Sequence, residues 1–334
     1  MKVWLLFEGP HDGDKPGQYE IRRFIEEGEK RGYEVKVFGP SQFDLKCPMD
    51  GNKTIYVDSQ PQELPDVVIP RMGVATTYLG LAVLRHLRRA GVVVLNRAAA
   101  VAAVADKLHT FQVLSLDGMP LPKTIFGKCP IDVDLIEKEL GFPVVVKTLK
   151  GTQGSGVYLS ESADNLRDLT GLLTNDGDES LPVIFQEFIK VSSGRDLRVF
   201  VVGGKCIACM ERSATDGSFK ANISRGGVGR KVEITPEMER IALDVCRVLD
   251  LEIAGVDLLY SETGYLICEA NSAPDFKGLE RFCQVDVPQV IFNHAENMLK
   301  QARAAAATTN VVPIRKWTQT ARETLSRFKI FGSK

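Results

Sequence analysis

Two apolar runs in the last third of the chain carry oxygen-bearing side chains at strand spacing. The first is Gly255-Val256-Asp257-Leu258-Leu259-Tyr260 and the second Tyr265-Leu266-Ile267-Cys268-Glu269-Ala270-Asn271, with Ser261-Glu262-Thr263-Gly264 between them. Apolar runs meeting at a short Gly-containing turn predict a β-hairpin. With Glu262-Thr263-Gly264 as a three-residue loop and Gly264 in its left-handed position, Asp257 falls opposite Glu269. Asn271 then shares the face of Glu269, because side chains alternate along a strand. Two carboxylates and an amide oxygen on one face make a hard-cation site, suited to Mg2+ that keeps waters and bridges phosphates. A hairpin whose acids face solvent is the plainer alternative. The flanking residues are apolar, however, and buried carboxylates need partners.

A second set of residues has the chemistry to meet phosphates. Gly151-Thr152-Gln153-Gly154-Ser155-Gly156 follows an apolar strand pattern that ends at Lys147. Glycines at that density let the backbone approach a polyanion with its N–H groups aimed inward. The Gly-Lys-Ser/Thr signature is missing and no helix follows, so the segment is not a P-loop; a plain flexible turn is the competing reading. Lys147 can set an ammonium against a phosphate, and Lys107, in a helical stretch, offers a second cation unless it is simply solvated. Gln186-Glu187-Phe188-Ile189 ends a strand and can present backbone groups to a base in an apolar cleft. Asp196 and Arg198 share one strand face, available to a ribose and phosphate or to each other. Glu211-Arg212, Lys220-Ala221-Asn222 and Arg225-Gly226-Gly227 follow, a basic, Gly-containing run able to neutralise a transferring phosphoryl group.

Composition limits the setting. The 334 residues predict two or three domains, and 44% hydrophobic with 25% charged residues is ordinary for a soluble protein. Lys+Arg 42 against Asp+Glu 43 leaves no basic excess to bring nucleic acid to the core. The apolar run Val3–Phe7 is too short for a secretory signal, and no stretch is long enough for a membrane span. Seven scattered cysteines read as reduced residues of a cytoplasmic chain. Cys206 and Cys209, three apart on a strand, are expected on opposite faces and so cannot share a metal.

The elements that must hold these groups alternate in a recognisable way. Residues 1–95 read as an α/β domain: strands at Val3–Phe7, Tyr33–Phe38, Val67–Pro70 and Val92–Leu95, helices at Tyr19–Arg31 and Thr77–Ala90. A second block, 96–183, opens with one Ala-rich helix over Ala98–Asp117. Strands at Lys123–Phe126, Val144–Lys147 and Val157–Ser160, helices at Val133–Leu140 and Asp164–Leu173, and an acidic loop at Asn175–Ser180 complete it. The third block, 184–302, holds the remaining strands, helices at Pro236–Leu249 and Pro288–Ala302, and the opening hairpin. Residues 303–334 form a basic tail in which Trp317, Ala321, Leu325 and Phe328 mark one apolar helical face.

In this order the motifs resemble the ATP-grasp superfamily, and within it the RimK-type amino-acid ligases. The residues concerned are Asp106-Lys107-Leu108, Val145-Val146-Lys147, the Gly151–Gly156 loop, Gln186–Ile189, Asp196 with Arg198, Asn222 with Arg225-Gly226-Gly227, Gly255-Val256-Asp257, and Glu269 with Asn271 and Pro274. Ile69-Pro70-Arg71-Met72-Gly73 and Leu95-Asn96 extend the likeness into the first domain.

The resemblance implies an N-terminal pre-ATP-grasp domain followed by a two-lobed ATP-grasp fold, α/β and α+β. It implies ATP between the lobes, with Lys107 and Lys147 on the phosphates, the Gly151, Gly154 and Gly156 backbone over them, Gln186 to Ile189 at adenine and Asp196 by the ribose. Lys220, Ala221 and Asn222 would contact nucleotide phosphates, and Asp257, Glu269 and Asn271 would hold two Mg2+ ions, with Mn2+ able to substitute. The implied activity is a carboxylate–amine ligase that passes through an acyl phosphate and adds glutamate to a protein C-terminus or small-molecule carboxylate. Arg225 and Arg212 are its expected catalytic cations, Arg71 and Lys277 its substrate contacts, and a homo-oligomer, dimer or tetramer, its expected state. After Asn271 the chain departs from the ribosomal-protein glutamate ligases, reading Ser272-Ala273-Pro274-Asp275-Phe276-Lys277-Gly278 where they resemble Ala-Ser-Pro-Gly-Leu-Glu-Gly. A ligase for another amino acid or a cofactor acceptor, or a nucleotide-binding module without catalysis, are the alternative readings.

Overall fold

A computed structural model describes residues 1–13, 15–47, 55–72, 77–128, 131–148, 156–174, 182–221 and 227–308. Residues Met1–Ala295 form one compact unit and Glu296 begins a second. The expected acidic loop at Asn175–Ser180 and the basic helix in the tail lie outside the described residues.

The N-terminal third alternates strands and helices: β1 (Lys2–Leu6), α1 (Gln18–Lys30), β2 (Glu34–Phe38), β3 (Phe43–Asp44), β4 (Ile55–Val57), β5 (Gln60–Gln62), β6 (Val67–Pro70), α2 (Tyr78–Arg89) and β7 (Val93–Val94). β1, β2, β6 and β7 form a parallel sheet in the order β2-β1-β6-β7. β6 is buried along its whole length, and β1 from Val3 onward, as a sheet covered on both faces requires. A small antiparallel sheet, β3-β4-β5, was not foreseen. Strands of two or three residues carry too little periodicity to register in a sequence.

One expected helix is two. α3 (Ala98–Ala105) and α4 (Lys107–Leu116) part at Asp106, whose Oδ1 accepts the His109 N–H at 3.0 Å. An aspartate inside an Ala-rich run offers its own backbone a cap and so begins a new helix. The break puts Lys107 at the first position of α4.

Next come β8 (Thr124–Lys128), α5 (Val133–Leu140), β9 (Val144–Thr148), β10 (Val157–Ser160), α6 (Ala163–Thr174) and β11 (Pro182–Glu187). Their strands make an antiparallel sheet in the order β10-β9-β11-β8. Val133, Ile136 and Leu166 of the helices bury its other face with Val144, Val146, Val183 and Phe185.

The remaining elements are β12 (Arg195–Val202), β13 (Lys205–Ser213), β14 (Val228–Val232), α7 (Pro236–Val248), β15 (Ile253–Ser261), β16 (Gly264–Asn271), α8 (Lys277–Cys283) and α9 (Val287–Thr308). The third large sheet runs β14-β13-β12-β15-β16, with α7 packed on one face through Met238, Ile241, Ala242 and Val245. Two register shifts matter. In β13 the pairing jumps from Phe200↔Ala208 to Val201↔Cys206, leaving Ile207 as an extra residue. The bulge resets the alternation, so Cys206 and Cys209 pack on the same α7-facing core rather than on opposite faces. Burial pushes their thiols up, to about 11 and about 12. In the β15–β16 hairpin the loop is Glu262-Thr263 alone, closed by Ser261↔Gly264, and not the expected three residues. Cys268 is the extra residue that restores Asp257↔Glu269 and Gly255↔Asn271.

Replacing the α4 cap tests the helix break. Asp106→Ala is expected to lower stability to urea by about 1 kcal/mol, with Asp106→Asn close to wild type; equal stability of all three proteins would contradict the capping role.

Candidate active site

Charge is concentrated on one face of the third sheet, in a lattice that the strand register dictates. Asp196 and Arg198 lie two apart on β12 and therefore project from the same face. Their neighbours across the ladder are Arg212 on β13, opposite Asp196, and Asp257 on β15, opposite Arg198. Arg212 donates from Nε and Nη2 to Asp196 Oδ1 and Oδ2 at 2.6 and 2.7 Å. Arg198 grips Asp257 in the same way, both bonds at 2.8 Å. A further 2.8 Å bond from Arg212 Nη2 to Asp257 Oδ2 joins the two pairs. Asp196 and Arg198 thus pair with neighbouring strands and not with each other.

Three of the four side chains are buried: Asp257 is 3%, Arg212 6% and Asp196 9% exposed. Burial alone would raise the Asp257 carboxyl, but Arg198 and Arg212 outweigh it and hold Asp257 below the usual carboxylate range. For Asp196, burial and the like charge of Asp257 win over Arg212, and its carboxyl is raised. Arg212 is raised as well: burial opposes its charge, and the two aspartates more than compensate.

Beside this lattice stand the other expected metal ligands. Glu269, opposite Asp257, is half-exposed with Lys107 Nζ 3.8 Å from its Oε1. Asn271 turns its Nδ2 toward Gly255 O at 3.5 Å, which leaves the amide oxygen as an acceptor. Asp257 Oδ1 receives a single bond, so it keeps acceptor capacity too. These are oxygen donors of the kind Mg2+ takes. Among the described residues no three acidic, His or Cys side chains gather at one point. A cation here would need phosphate oxygens or water to complete its shell, the usual habit of Mg2+.

The second sheet contributes another polar chain. Lys147 on β9 donates to Gln186 Oε1 on β11 at 2.8 Å, and Gln186 Nε2 donates to Thr124 Oγ1 on β8 at 3.0 Å. Gln186 is buried, and the Phe111 ring of α4 lies 5.8 Å from the Lys147 ammonium. Glu187 Oε1 accepts the Lys123 N–H at 2.7 Å. Phe188 meets Phe219 edge-on at 6.3 Å, and Lys220 Nζ lies 5.4 Å from that ring and 5.9 Å from Tyr158. Ile189 O accepts from Ser192 N, Ala221 is buried, and Gly156 O receives Thr148 N at 2.8 Å where β9 and β10 meet. Helix α4 bridges the two sheets, with Lys107 beside Glu269 and Phe111 against the Lys147 ammonium. The Lys147 ammonium and the carboxylate edge of the β15–β16 hairpin therefore both border α4. Burial pushes the Cys268 thiol up to about 11.

The remaining expectations divide. Arg71 is buried at 7% exposure; it donates from Nη2 to Pro274 O at 3.0 Å and lies 5.7 Å from the Phe276 ring. It is thus engaged with the chain's own loop. Lys277 is exposed at the start of α8, 5.6 Å from the Tyr19 ring. Gly151, Gly154, Asn222 and Arg225 lie outside the described residues. Thr124 was missed because a lone threonine at a strand start carries no signal. The grip of Arg198 on Asp257 was missed because it depends on which strands are neighbours.

Comparison with known proteins gives a consistent result. A family model described as the RimK-like ATP-grasp domain matches residues 104–294, and one described as the RimK PreATP-grasp domain matches residues 1–101. A probable alpha-L-glutamate ligase of Legionella pneumophila (strain Paris) is 36% identical over 301 residues, covering 90% of this chain and 97% of its own. Probable alpha-L-glutamate ligase 2 of Shewanella frigidimarina (strain NCIMB 400) is 39% identical over 314 residues, covering 91% and 100%. Among solved structures, the ATP-grasp ligase PsnB complexed with minimal precursor, Mg and ADP superposes with a TM-score of 0.66 at 21% identity, covering 90% of this chain and 98% of its own.

The lattice makes a stability prediction. Arg212→Met strips a buried cation from two aspartates and is expected to cost about 3 kcal/mol or more in urea unfolding. A loss under about 1 kcal/mol would mean that the aspartates find other partners or take up protons without penalty.

Proposed function

This chain belongs to the RimK-like ATP-grasp family, whose members are carboxylate–amine ligases, and from that premise we propose that it adds glutamate to a carboxylate acceptor. The reading is carried by one observation: α4 sets Lys107 3.8 Å from Glu269 on the β15–β16 hairpin and lays its Phe111 ring against the Lys147 ammonium, so the carboxylate–amide edge and both lysines border one helix. Likeness in sequence to glutamate ligases over 90% of the chain supports glutamate as the amino acid. The acceptor is a protein C-terminus or a small-molecule carboxylate. We read residues 1–95 as the pre-ATP-grasp domain, 96–183 and 184–302 as the lobes enclosing ATP, and 303–334 as a basic tail. A cytoplasmic homo-oligomer, dimer or tetramer, is the proposed setting. Among the described residues no helix is long and apolar enough to cross a membrane.

In the proposed reaction an acceptor carboxylate oxygen attacks the γ-phosphorus of ATP, and ADP leaves. The amino nitrogen of glutamate then attacks the acyl-phosphate carbon. The amide forms, inorganic phosphate departs and one proton is released. A carboxylate does not react with an amine unaided at neutral pH, so activation has to come first. Lys107 and Lys147 offset phosphate charge, and Gln186 holds Lys147 in place through its 2.8 Å bond. Gln186 to Ile189 lie along the base, Asp196 borders the ribose while anchoring Arg212, and Gly151, Gly154, Gly156, Lys220, Ala221 and Asn222 line the phosphates. Asp257, Glu269 and Asn271 would hold two Mg2+ ions, or Mn2+ in their place. A bound divalent ion withdraws charge from the transferring phosphoryl group. Arg225 is assigned to the oxyanion of the amide-forming step, with Arg212 supporting the phosphoryl charge. Lys277 is assigned to the substrate carboxylate, and Arg71 acts through the loop it holds.

The test is ADP release with MgATP, L-glutamate and a panel of acceptors, including peptides ending in glutamate, with product masses read alongside. ADP formed only when acid and amine are both present, with a product heavier by one glutamyl residue, is the expected result. ADP release that ignores both substrates would contradict it. Glu269→Ala is the cleanest ligand variant, because Asp257 is also tied into the buried lattice; it should abolish turnover and leave the fold intact. Arg225→Ala should lower kcat by about 100-fold or more, the scale of a lost oxyanion donor.

A further inference from the structure

The chain between β16 and α8, residues 272–276, has no regular partner strand or helix, yet it directly follows Glu269 and Asn271. Buried backbone groups in such a segment must find hydrogen bonds elsewhere. Here the N-terminal third supplies them. Asn96, fully buried, donates from Nδ2 to Ser272 O at 2.8 Å and to Ile253 O at 2.7 Å. Its Oδ1 accepts the Glu252 and Ile253 N–H groups at 2.7 and 2.9 Å. Arg71 holds Pro274 O, as described above. Glu20, on α1 and 2% exposed, accepts on Oε1 from the Phe276 and Lys277 N–H groups at 2.9 and 3.0 Å.

Apolar packing already joins α1 to this region, since Phe24 stacks edge-on against Phe276 at 5.7 Å and Phe292 at 5.6 Å. The polar bonds add something that packing does not: they specify the course of the backbone, because a buried donor or acceptor displaced from its partner carries the full cost of an unsatisfied group. The loop so held, which follows the ligand edge in the chain, presents two exposed residues, Asp275 and Lys277.

We infer that Glu20 and Arg71 are positioning residues through which the N-terminal domain sets the loop 272–277 against the acceptor carboxylate. The inference rests on the ligase reading. Neither side chain is assigned to substrate; Glu20 fixes the backbone that carries Asp275 and Lys277, and Arg71 fixes it at Pro274 while also lying 3.8 Å from Asp275 Oδ1. Three variants separate this from a general structural role. Glu20→Ala removes the acceptor oxygen from two buried N–H groups, Glu20→Gln keeps an oxygen there without charge, and Arg71→Met removes the donor to Pro274.

For Glu20→Ala and Arg71→Met, the KM for a peptide ending in glutamate should rise about tenfold or more, the scale of one charge-assisted hydrogen bond. The Kd for AMPPNP should stay at its wild-type value, and Glu20→Gln should restore much of the lost peptide affinity. An unchanged peptide KM, or AMPPNP binding weakened in parallel, would overturn the inference. If Glu20→Ala does not fold, Arg71→Met decides by the same split, and collapse of both would assign the residues to folding and overturn it. Amide exchange across residues 272–277 reads the loop independently of turnover. If the wild-type protein extends no peptide and no other carboxylate of the acceptor panel, the ligase reading fails, whereas faster exchange in Glu20→Ala would still support positioning and unchanged exchange would refute it.

Discussion

Two aspartates and two arginines, interlocked across β13, β12 and β15, are the constraint on which the rest of the site depends. A lone buried carboxylate would take up a proton or draw in water. Paired in this way, Asp257 stays ionised at the floor of the site and is directed toward the edge that Glu269 and Asn271 complete. The arrangement exists only in one register. A slip of one residue in β12 would send Asp196 and Arg198 to the opposite face, where Leu197, Val199 and Val201 pack against α7. Chemistry and core packing therefore specify the same strand alignment.

The extra residue in β16 shows how finely that alignment is set. A two-residue loop at Glu262-Thr263 would by itself place Asp257 opposite Cys268; the bulge moves Glu269 into line instead. From there the chain enters the loop held by Glu20, Arg71 and Asn96, so the edge and the loop beside it are positioned from two directions. One comes from within the sheet and the other from the N-terminal domain. The Lys147–Gln186–Thr124 chain fixes the ammonium of the second sheet in a similar manner. Lys147, Arg198 and Arg212 each have a hydrogen-bonded partner that orients them.

Elements with strong periodicity or clear stops were legible in the sequence. Val157–Ser160 appears as expected, and α7 and α9 differ from expectation mainly at their ends. Asp257 facing Glu269 was anticipated for a partly wrong reason, since a three-residue loop and a two-residue loop with a bulge give the same pairing. Cys206 and Cys209 failed in the opposite sense: strict alternation put them apart, and an unforeseen bulge at Ile207 brings them together. Bulges leave no mark in composition or period, so register beyond one is beyond pattern reading. Contacts such as Glu20 to Phe276 span the chain, and α1 shows only an amphipathic face with an acid in it. Which backbone that acid caps is decided by tertiary packing alone.

The proposed role of the β15–β16 hairpin is that of a divalent-cation edge serving nucleotide phosphates. The most direct measurement is calorimetric titration of ADP with and without Mg2+, for the wild-type protein and for Glu269→Gln. Mg2+ should tighten ADP binding in the wild type and do little in the variant. An equal gain from Mg2+ in both proteins would place the ion elsewhere and contradict the account.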